Sequence, residues 1–320
     1  MSSVELFQEP IRRRYYAPYN SCSYLFFVVT VWVLVALPFF LSYSENFWLK
    51  TNTYREQVSN KYEYKIIIEG SGSSAADSFF YSSIPDLNRL HGDAFRPVSV
   101  KTREVDVNID SLTDTFEITA TIPIPASSEV KKLDCLVFFR SQLQSSAKIV
   151  MESVVHLSHD SGVAGKELVT SGNLVFRQNN PVFVKGGYTT MYADTELVDT
   201  ASIISAKEGD IKTILAKAMG RNYTLAYEPQ YNYWGAKIDD LAGTFTLNAK
   251  LNIPTQDILY TPKPMEVLKD AWVKYLSMFV VVGFFLEKLC SFVYFHQLVE
   301  TKMLVETVGS TTGVPHFKKF

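Results

Sequence analysis

Hydrophobic and polar positions along this chain follow two different rules, one at the ends and one in the middle. Near the N-terminus, residues 24–43 read YLFFVVTVWVLVALPFFLSY, with no charged side chain. A helix rising about 1.5 Å per residue carries such a run across about 30 Å, the thickness of a bilayer's hydrocarbon core. The buried helix of a soluble protein keeps a polar stripe that this run lacks. A cleaved signal peptide would have an apolar core of only about 7–15 residues. Ser42 and Ser44 offer small residues for cleavage, but the length favours a retained anchor, with a kink expected at Pro38.

A second apolar run, YLSMFVVVGFFL over residues 275–286, is too short to cross a bilayer unless it extends. Extension to Ala271 asks Lys274 to snorkel outward. Extension to Phe295 places Glu287 and Lys288 in the apolar zone, where Glu287 either needs a partner or lies at the interface. The expected organisation is a tail over residues 1–23, a span over 24–43, an external domain over 44–270, a second span over 271–295 and a tail over 296–320. Two spans return both termini to one side. Arg12, Arg13 and Arg14 precede the first span, whereas the nearest basic residues after it are Lys50 and Arg55. That bias predicts cytosolic termini. One Asn-X-Ser/Thr sequon, Asn222-Tyr223-Thr224, falls between the spans, where a glycan on Asn222 requires extracellular or lumenal placement.

Between the spans the dominant period is two. Residues 62–69 alternate as a strand and are followed by GSGSS (70–74), which reads as a flexible loop. Residues 116–124 alternate cleanly and stop at Pro125. Further strands are expected over 133–140, 148–156, 174–177, 181–184 and 244–253. One helix is expected within the domain, over 211–219. Asp210 would cap it, Ile211, Ile214, Leu215 and Ala218 would form its apolar face, and Gly220 would end it. The fold class is therefore a membrane protein with two transmembrane helices flanking a mainly antiparallel, β-sandwich-like domain.

Composition adds exclusions. Of 320 residues, 47% are hydrophobic and 20% charged, which excludes a disordered chain. The formal net charge is −2, and the region between the spans carries about −5, so no basic surface invites nucleic acid. Of the cysteines Cys22, Cys135 and Cys290, only Cys135 belongs to the central domain, so no disulfide forms within it. Cys135, in LDCLVFF, reads as a core residue. Cys22, beside the first span, is a candidate palmitoylation site.

Catalytic signatures are missing: the chain has no nucleophile elbow, Walker loop, dinucleotide fingerprint or zinc-protease helix. His156 and His159 could offer two metal ligands, but three residues apart on a strand they face opposite ways. His91 reads as a turn residue. Asp239 and Asp240 are adjacent, so on a strand they form a poor acid–base pair. One stretch has ligand-like spacing. Oxygens of Asp106, Asn108, Asp110 and Asp114 occupy the first, third, fifth and ninth positions of a calcium loop, with the Leu112 carbonyl and Glu117 completing it. Against calcium, Ser111 stands where such a loop turns on glycine, and no helices flank it. The alternative is a strand with Asp106, Asn108 and Asp110 on its solvent face, then a hairpin turn.

Several stretches, taken in order, carry a resemblance to a known family. They are Phe47-Trp48-Leu49-Lys50 with Tyr54 and Glu56-Gln57, then Asn88-Arg89-Leu90 with Gly92-Asp93. Thr102-Arg103-Glu104 follows, leading into Asp106, Asn108 and Asp110. Ala271-Trp272-Val273 with Tyr275 opens the second span, and Glu287 and the Asn222 sequon fall at similar places. Together these stretches resemble the transmembrane protein 231 family of the ciliary transition zone, and the chain departs from that family's pattern at Ser111, where the pattern has glycine, and at His91, where it has glutamine. The resemblance implies a non-enzymatic scaffold without cofactors, part of the tectonic-like (Meckel syndrome) complex. Its implied partners are B9-domain proteins, tectonic proteins, other transition-zone membrane proteins and the lipid bilayer. The implied role is to maintain the diffusion barrier between cilium and plasma membrane and to support ciliogenesis. The rival readings are a two-span channel or transporter auxiliary subunit, whose ectodomain would be rich in disulfides, and a membrane-anchored lumenal enzyme.

Overall fold

The computed structural model describes residues 12–44, 48–184, 189–192, 195–198, 209–237 and 243–306. It forms two compact units, Met1–Lys50 with Lys263–Phe320, and Thr51–Pro262. In chain order the elements are β1 (Arg12–Tyr16), α1 (Cys22–Ser44), β2 (Asn52–Gln57), β3 (Ser59–Gly72), β4 (Phe79–Ser82), α2 (Pro85–Leu90) and β5 (Ser99–Val105). They continue with β6 (Thr115–Pro123), β7 (Val130–Leu143), β8 (Ile149–Gln178), β9 (Val182–Phe183), β10 (Thr189–Tyr192) and α3 (Ile211–Met219). The last are β11 (Tyr223–Ala236), β12 (Thr244–Asn252), β13 (Thr255–Thr261), α4 (Pro264–Phe295) and β14 (Lys302–Glu306).

In the first unit, α1 and α4 are both long and apolar enough to cross a bilayer. Polar side chains in α1 turn back onto the helix, as a medium without water demands: Thr30 donates to the Phe26 carbonyl at 2.8 Å and Ser42 to the Pro38 carbonyl at 2.7 Å. The two helices run antiparallel. Phe26 meets Tyr294 at 5.9 Å between ring centroids, and a Cβ on Gly283 would lie 3.5 Å from Leu34. Helix α4 begins at Pro264, where a fixed φ suits a first turn, rather than at Ala271, and it continues unbroken through Glu287 and Lys288 to Phe295. Lys274 is held by Asp270 at 2.7 Å, one turn away. The tails also meet: β1 and β14 pair antiparallel, with Tyr16 opposite Lys302. The chain after residue 299 is thus a strand over Lys302–Glu306, and its last residues lie outside those described.

In the second unit, nine strands form one sheet in the order β4-β3-β7-β8-β12-β6-β5, with β10 and β11 also joined to β8. Strand β8 organises it. Its first part pairs with β7 as far as Gly165, and its second part pairs with β11 and, in parallel, with β12. The sheet is thereby carried over onto itself, and the two halves share one core. Ile66, Val137, Phe139 and Val155 come from one half, and Phe116, Ile118, Phe245 and Leu247 from the other. The reverse face of β3, β7 and β8 is covered as well: Ile67, Leu136, Phe138 and Val154 pack under Leu87, Ile211 and Ile214 of α2 and α3. Burial on both faces is why LDCLVFF is apolar without alternation, Cys135 included. Each such Ile, Leu or Phe contributes about 1.5–3 kcal/mol. A smaller sheet, β2-β13-β9, has its own apolar cluster around Val58, Phe176 and Ile258.

The sandwich-like, mainly antiparallel domain between two helices is as the periodicity predicts, and α3 has the expected ends, with the Asp210 carboxylate accepting from the Lys212 N–H. Three expectations are corrected. The separate strands over 148–156 and 174–177 are one continuous β8. Polar residues in its middle break the apolar alternation, and the pairing with β7 shifts register there, from Asp160 to Gly165, while the strand itself continues. GSGSS is not a flexible loop, because β3 continues through Gly72, where a Cβ would sit 1.8 Å from the Glu129 carbonyl oxygen. Glycine marks a close backbone approach there. Residues 106–110 are not a strand, since β5 stops at Val105.

Candidate functional site

The stretch with calcium-like spacing is the loop joining β5 to β6. Its side-chain oxygens are turned onto its own backbone. Asp106 accepts from the Ile109 N–H at 2.7 Å and the Ser111 N–H at 2.9 Å. Asn108 accepts from the Asp110 N–H at 3.2 Å, and Asp110 from the Leu112 N–H at 2.8 Å. Asp114 closes the loop by accepting from the Val107 N–H at 2.8 Å and the Gln57 amide at 3.0 Å. Those bonds hold the Asp114 carboxyl below its usual range. Short polar side chains that bond their own backbone favour turns over strand, which is why the alternation of Val107 and Ile109 fails to make a strand. Both are left exposed. Ile109 and Ser111 adopt left-handed backbone, φ 61° and 68°. Glu117 stands apart on β6, 3.9 Å from Arg103 and 4.0 Å from Lys250. Among the described residues, no three His, Cys, Asp or Glu side chains are grouped to hold a metal ion.

The most heavily connected buried charges lie elsewhere, on the side of β3, β7 and β8 that α3 covers. Lys65 reaches three carboxylates: Glu152 at 3.1 Å, Glu196 at 3.4 Å and Glu63 at 3.8 Å. Glu152 also accepts from the Leu197 N–H at 2.6 Å, and burial pushes its carboxyl up. Arg221 donates to the carbonyls of Glu152, at 2.7 Å, and Thr195, at 2.5 Å, and its guanidinium lies 5.1 Å from the centre of the Tyr192 ring. Burial acts against the Lys65 and Arg221 cations, but the carboxylates around Lys65 outweigh it and raise that ammonium, while Arg221 is lowered. The network fixes residues 195–198 to the sheet, with Leu197 and Val198 buried. The sequence reading missed it. The available signal was Glu152, a charge inside an otherwise apolar strand.

His156 and His159 point apart, as their spacing requires. His156 Nε2 lies 2.9 Å from Asp134, which Lys132 also approaches at 2.7 Å. Burial alone would raise Asp134, but hydrogen bonds from His156, Lys132 and Ser158 hold it well below the carboxylate range. His159 packs at 4.9 Å on Trp234. His91 follows α2 and stacks at 3.8 Å on Phe80, and burial lowers its imidazole. Asn222 is exposed between α3 and β11, its side-chain oxygen accepting from Asn180 at 3.2 Å. Cys22 is exposed at the start of α1. Asp239 and Asp240 lie outside the described residues.

Two membrane-length helices that bracket a β domain define a two-span membrane protein whose bulk lies between its spans. This chain belongs to the transmembrane protein 231 family, whose model matches residues 1–303. It is 29% identical to human transmembrane protein 231 over 305 residues, 94% of this chain and 95% of the relative. It is 29% identical to the Gallus gallus protein of that name over 308 residues, 94% of each, and 25% identical to the Xenopus tropicalis one over 304 residues, 94% and 96%. The family is thus one of transmembrane proteins by name.

Proposed function

We propose that this chain is a non-enzymatic membrane scaffold of the ciliary transition zone. In this reading it works within the tectonic-like complex, beside B9-domain and tectonic proteins, to maintain the diffusion barrier between cilium and plasma membrane. The observation that carries the reading is the match to the family over residues 1–303 together with the order of elements along the chain, in which two membrane-length helices bracket a β domain. The buried charges described above tie the domain's own segments together, which suits a rigid contact surface. Cytosolic termini follow from the arginines before α1, and the exposed Asn222 is a glycosylation site on the opposite side. In this reading Cys22, exposed at the start of α1, is a palmitoylation site on the cytosolic side.

The test is imaging of the tagged full chain in ciliated cells beside a basal-body marker. A narrow band at the ciliary base, with loss of partners from that band after deletion, is the expected result. A diffuse plasma-membrane or reticular signal overturns the reading.

A further inference from the structure

Glu287 lies inside the apolar stretch of α4, and the structure fixes how deep. Trp272 and Tyr275 stand near one end and Tyr294 near the other, where it stacks at 5.7 Å on Tyr15 of the polar strand β1. At about 1.5 Å per residue, Tyr275 and Tyr294 are separated by roughly 28 Å, the span between two interfacial aromatic belts. Glu287 therefore sits about 10 Å inward from the Tyr294 belt. Lys288 does not reach back toward that belt. Its ammonium lies 5.5 Å from the centre of the Phe284 ring, one turn deeper. Among the described residues, no side chain forms an ion pair with Glu287.

The face of α4 that carries these charges is turned away from α1. Helix α1 meets α4 at Gly283, and Tyr275 Oη reaches 3.5 Å from the Val35 carbonyl, with Ala271 and Val282 buried on that side. At about 100° per residue, Phe284 and Glu287 lie roughly 140–200° around the helix from Val282. Val273, Ser277, Val280, Phe284, Glu287 and Ser291 are all exposed. Their spacing alternates between four and three residues, the repeat of a helix-pairing seam. The seam holds two small hydroxyl residues and one acid, with a lysine directly beside that acid.

We propose that α4 is a homodimerisation helix. Two copies of this chain with the same orientation in one membrane pack α4 against α4 along this seam, and Glu287 of each copy pairs with Lys288 of the other. Charge complementarity selects a second copy as the occupant. In a parallel pair, the knob at the Glu287 position enters a hole formed by Phe284, Glu287, Lys288 and Ser291 of the other helix. A two-fold axis makes the contact reciprocal, so both carboxylates and both ammonium groups find partners at equal depth. A charge left facing lipid costs about 2.5–3.5 kcal/mol on insertion scales, which association removes. The inference requires only that α4 crosses a membrane and is independent of where in the cell the protein resides.

The test uses the full chain in intact cell membranes, with Cys22 and Cys290 replaced by serine and single cysteines introduced on α4. Mild oxidation should give a disulfide-linked dimer for Val280→Cys and Ser291→Cys and none for Phe285→Cys, which lies off the seam. In the Ser291→Cys background, Glu287→Lys and Lys288→Glu should each reduce the crosslinked fraction about tenfold, a change equal to about 1.4 kcal/mol of association. The double exchange should restore it. Glu287→Gln replaces Glu287→Lys as the readout if the latter is missing from the membrane fraction. Equal crosslinking at Phe285→Cys, or no effect of the single exchanges, overturns the proposal. So does failure of the double exchange to rescue, which would assign Glu287 to the helix of a different protein.

Discussion

The Arg221 guanidinium donates at 2.7 Å to the main-chain carbonyl of Glu152, the residue whose carboxylate accepts from Lys65 at 3.1 Å. One residue thus anchors two cations from distant parts of the chain, through its backbone and its side chain. Glu152→Ala would remove the nearest of the three acids around Lys65 and leave the buried Leu197 N–H without an acceptor. The expected cost is about 2–4 kcal/mol. Glu152→Gln keeps the acceptor and should lose less. Arg221→Lys cannot span two carbonyls with a planar fork and should cost about 1–2 kcal/mol. Thermal unfolding of the full chain in detergent measures all three, and an Ala variant no less stable than the Gln variant would contradict this account.

Ser111 carries a left-handed backbone, φ 68°, in the loop closed by Asp106 and Asp114. A side chain held there costs about 1–2 kcal/mol, part of which glycine returns as unfolded-chain entropy. Ser111→Gly should therefore stabilise the protein by about 0.5–1 kcal/mol, whereas Ser111→Val should destabilise it. A raised midpoint for the first and a lowered one for the second are expected in the same unfolding assay.

Asp134 sets an acid limb. Its folded carboxyl is held below the unfolded value of about 3.9 by His156, Lys132 and Ser158. A depressed carboxylate contributes stability that is present above the unfolded value and lost as pH falls through the lower folded one. Asp134→Asn should cost about 1–3 kcal/mol at neutral pH, and its stability should fall less steeply than wild type below about pH 4. Parallel slopes for the two proteins across that range would remove Asp134 from the acid response.

How far the sequence discloses this molecule depends on whether a signal is local. The spans, α3 with its Asp210 cap, and strands such as β6 are legible because period and caps are properties of neighbouring residues. Long-range pairing is not. Nothing within residues 149–178 announces that one strand serves two halves of a sheet, and Gly72 looks like a loop residue until the Glu129 carbonyl is placed against it. The Asp106–Asp114 stretch misled in the opposite way. Its alternation fits a strand and its oxygens fit a cation loop, but the backbone N–H groups compete for those oxygens. The charge network around Glu152 joins β3, β8, residues 195–198 and the end of α3, so no window of sequence contains it.

Topology gives the last prediction. Asn222 is exposed between α3 and β11, and Thr224, the second residue of β11, completes the sequon. If the region between the spans faces the lumen during synthesis, the oligosaccharide attaches at this position and nowhere else, since the chain holds no second sequon. The full chain from mammalian membranes should migrate faster after N-glycosidase treatment, and Asn222→Gln should migrate at the treated position from the start. Thr224→Ala should do the same while leaving the asparagine in place, which separates glycan loss from a local folding defect. A tag after residue 306 should meanwhile resist protease in sealed cells. Unchanged migration of the wild type together with a protease-sensitive tag would invert the topology and place the β domain in the cytosol.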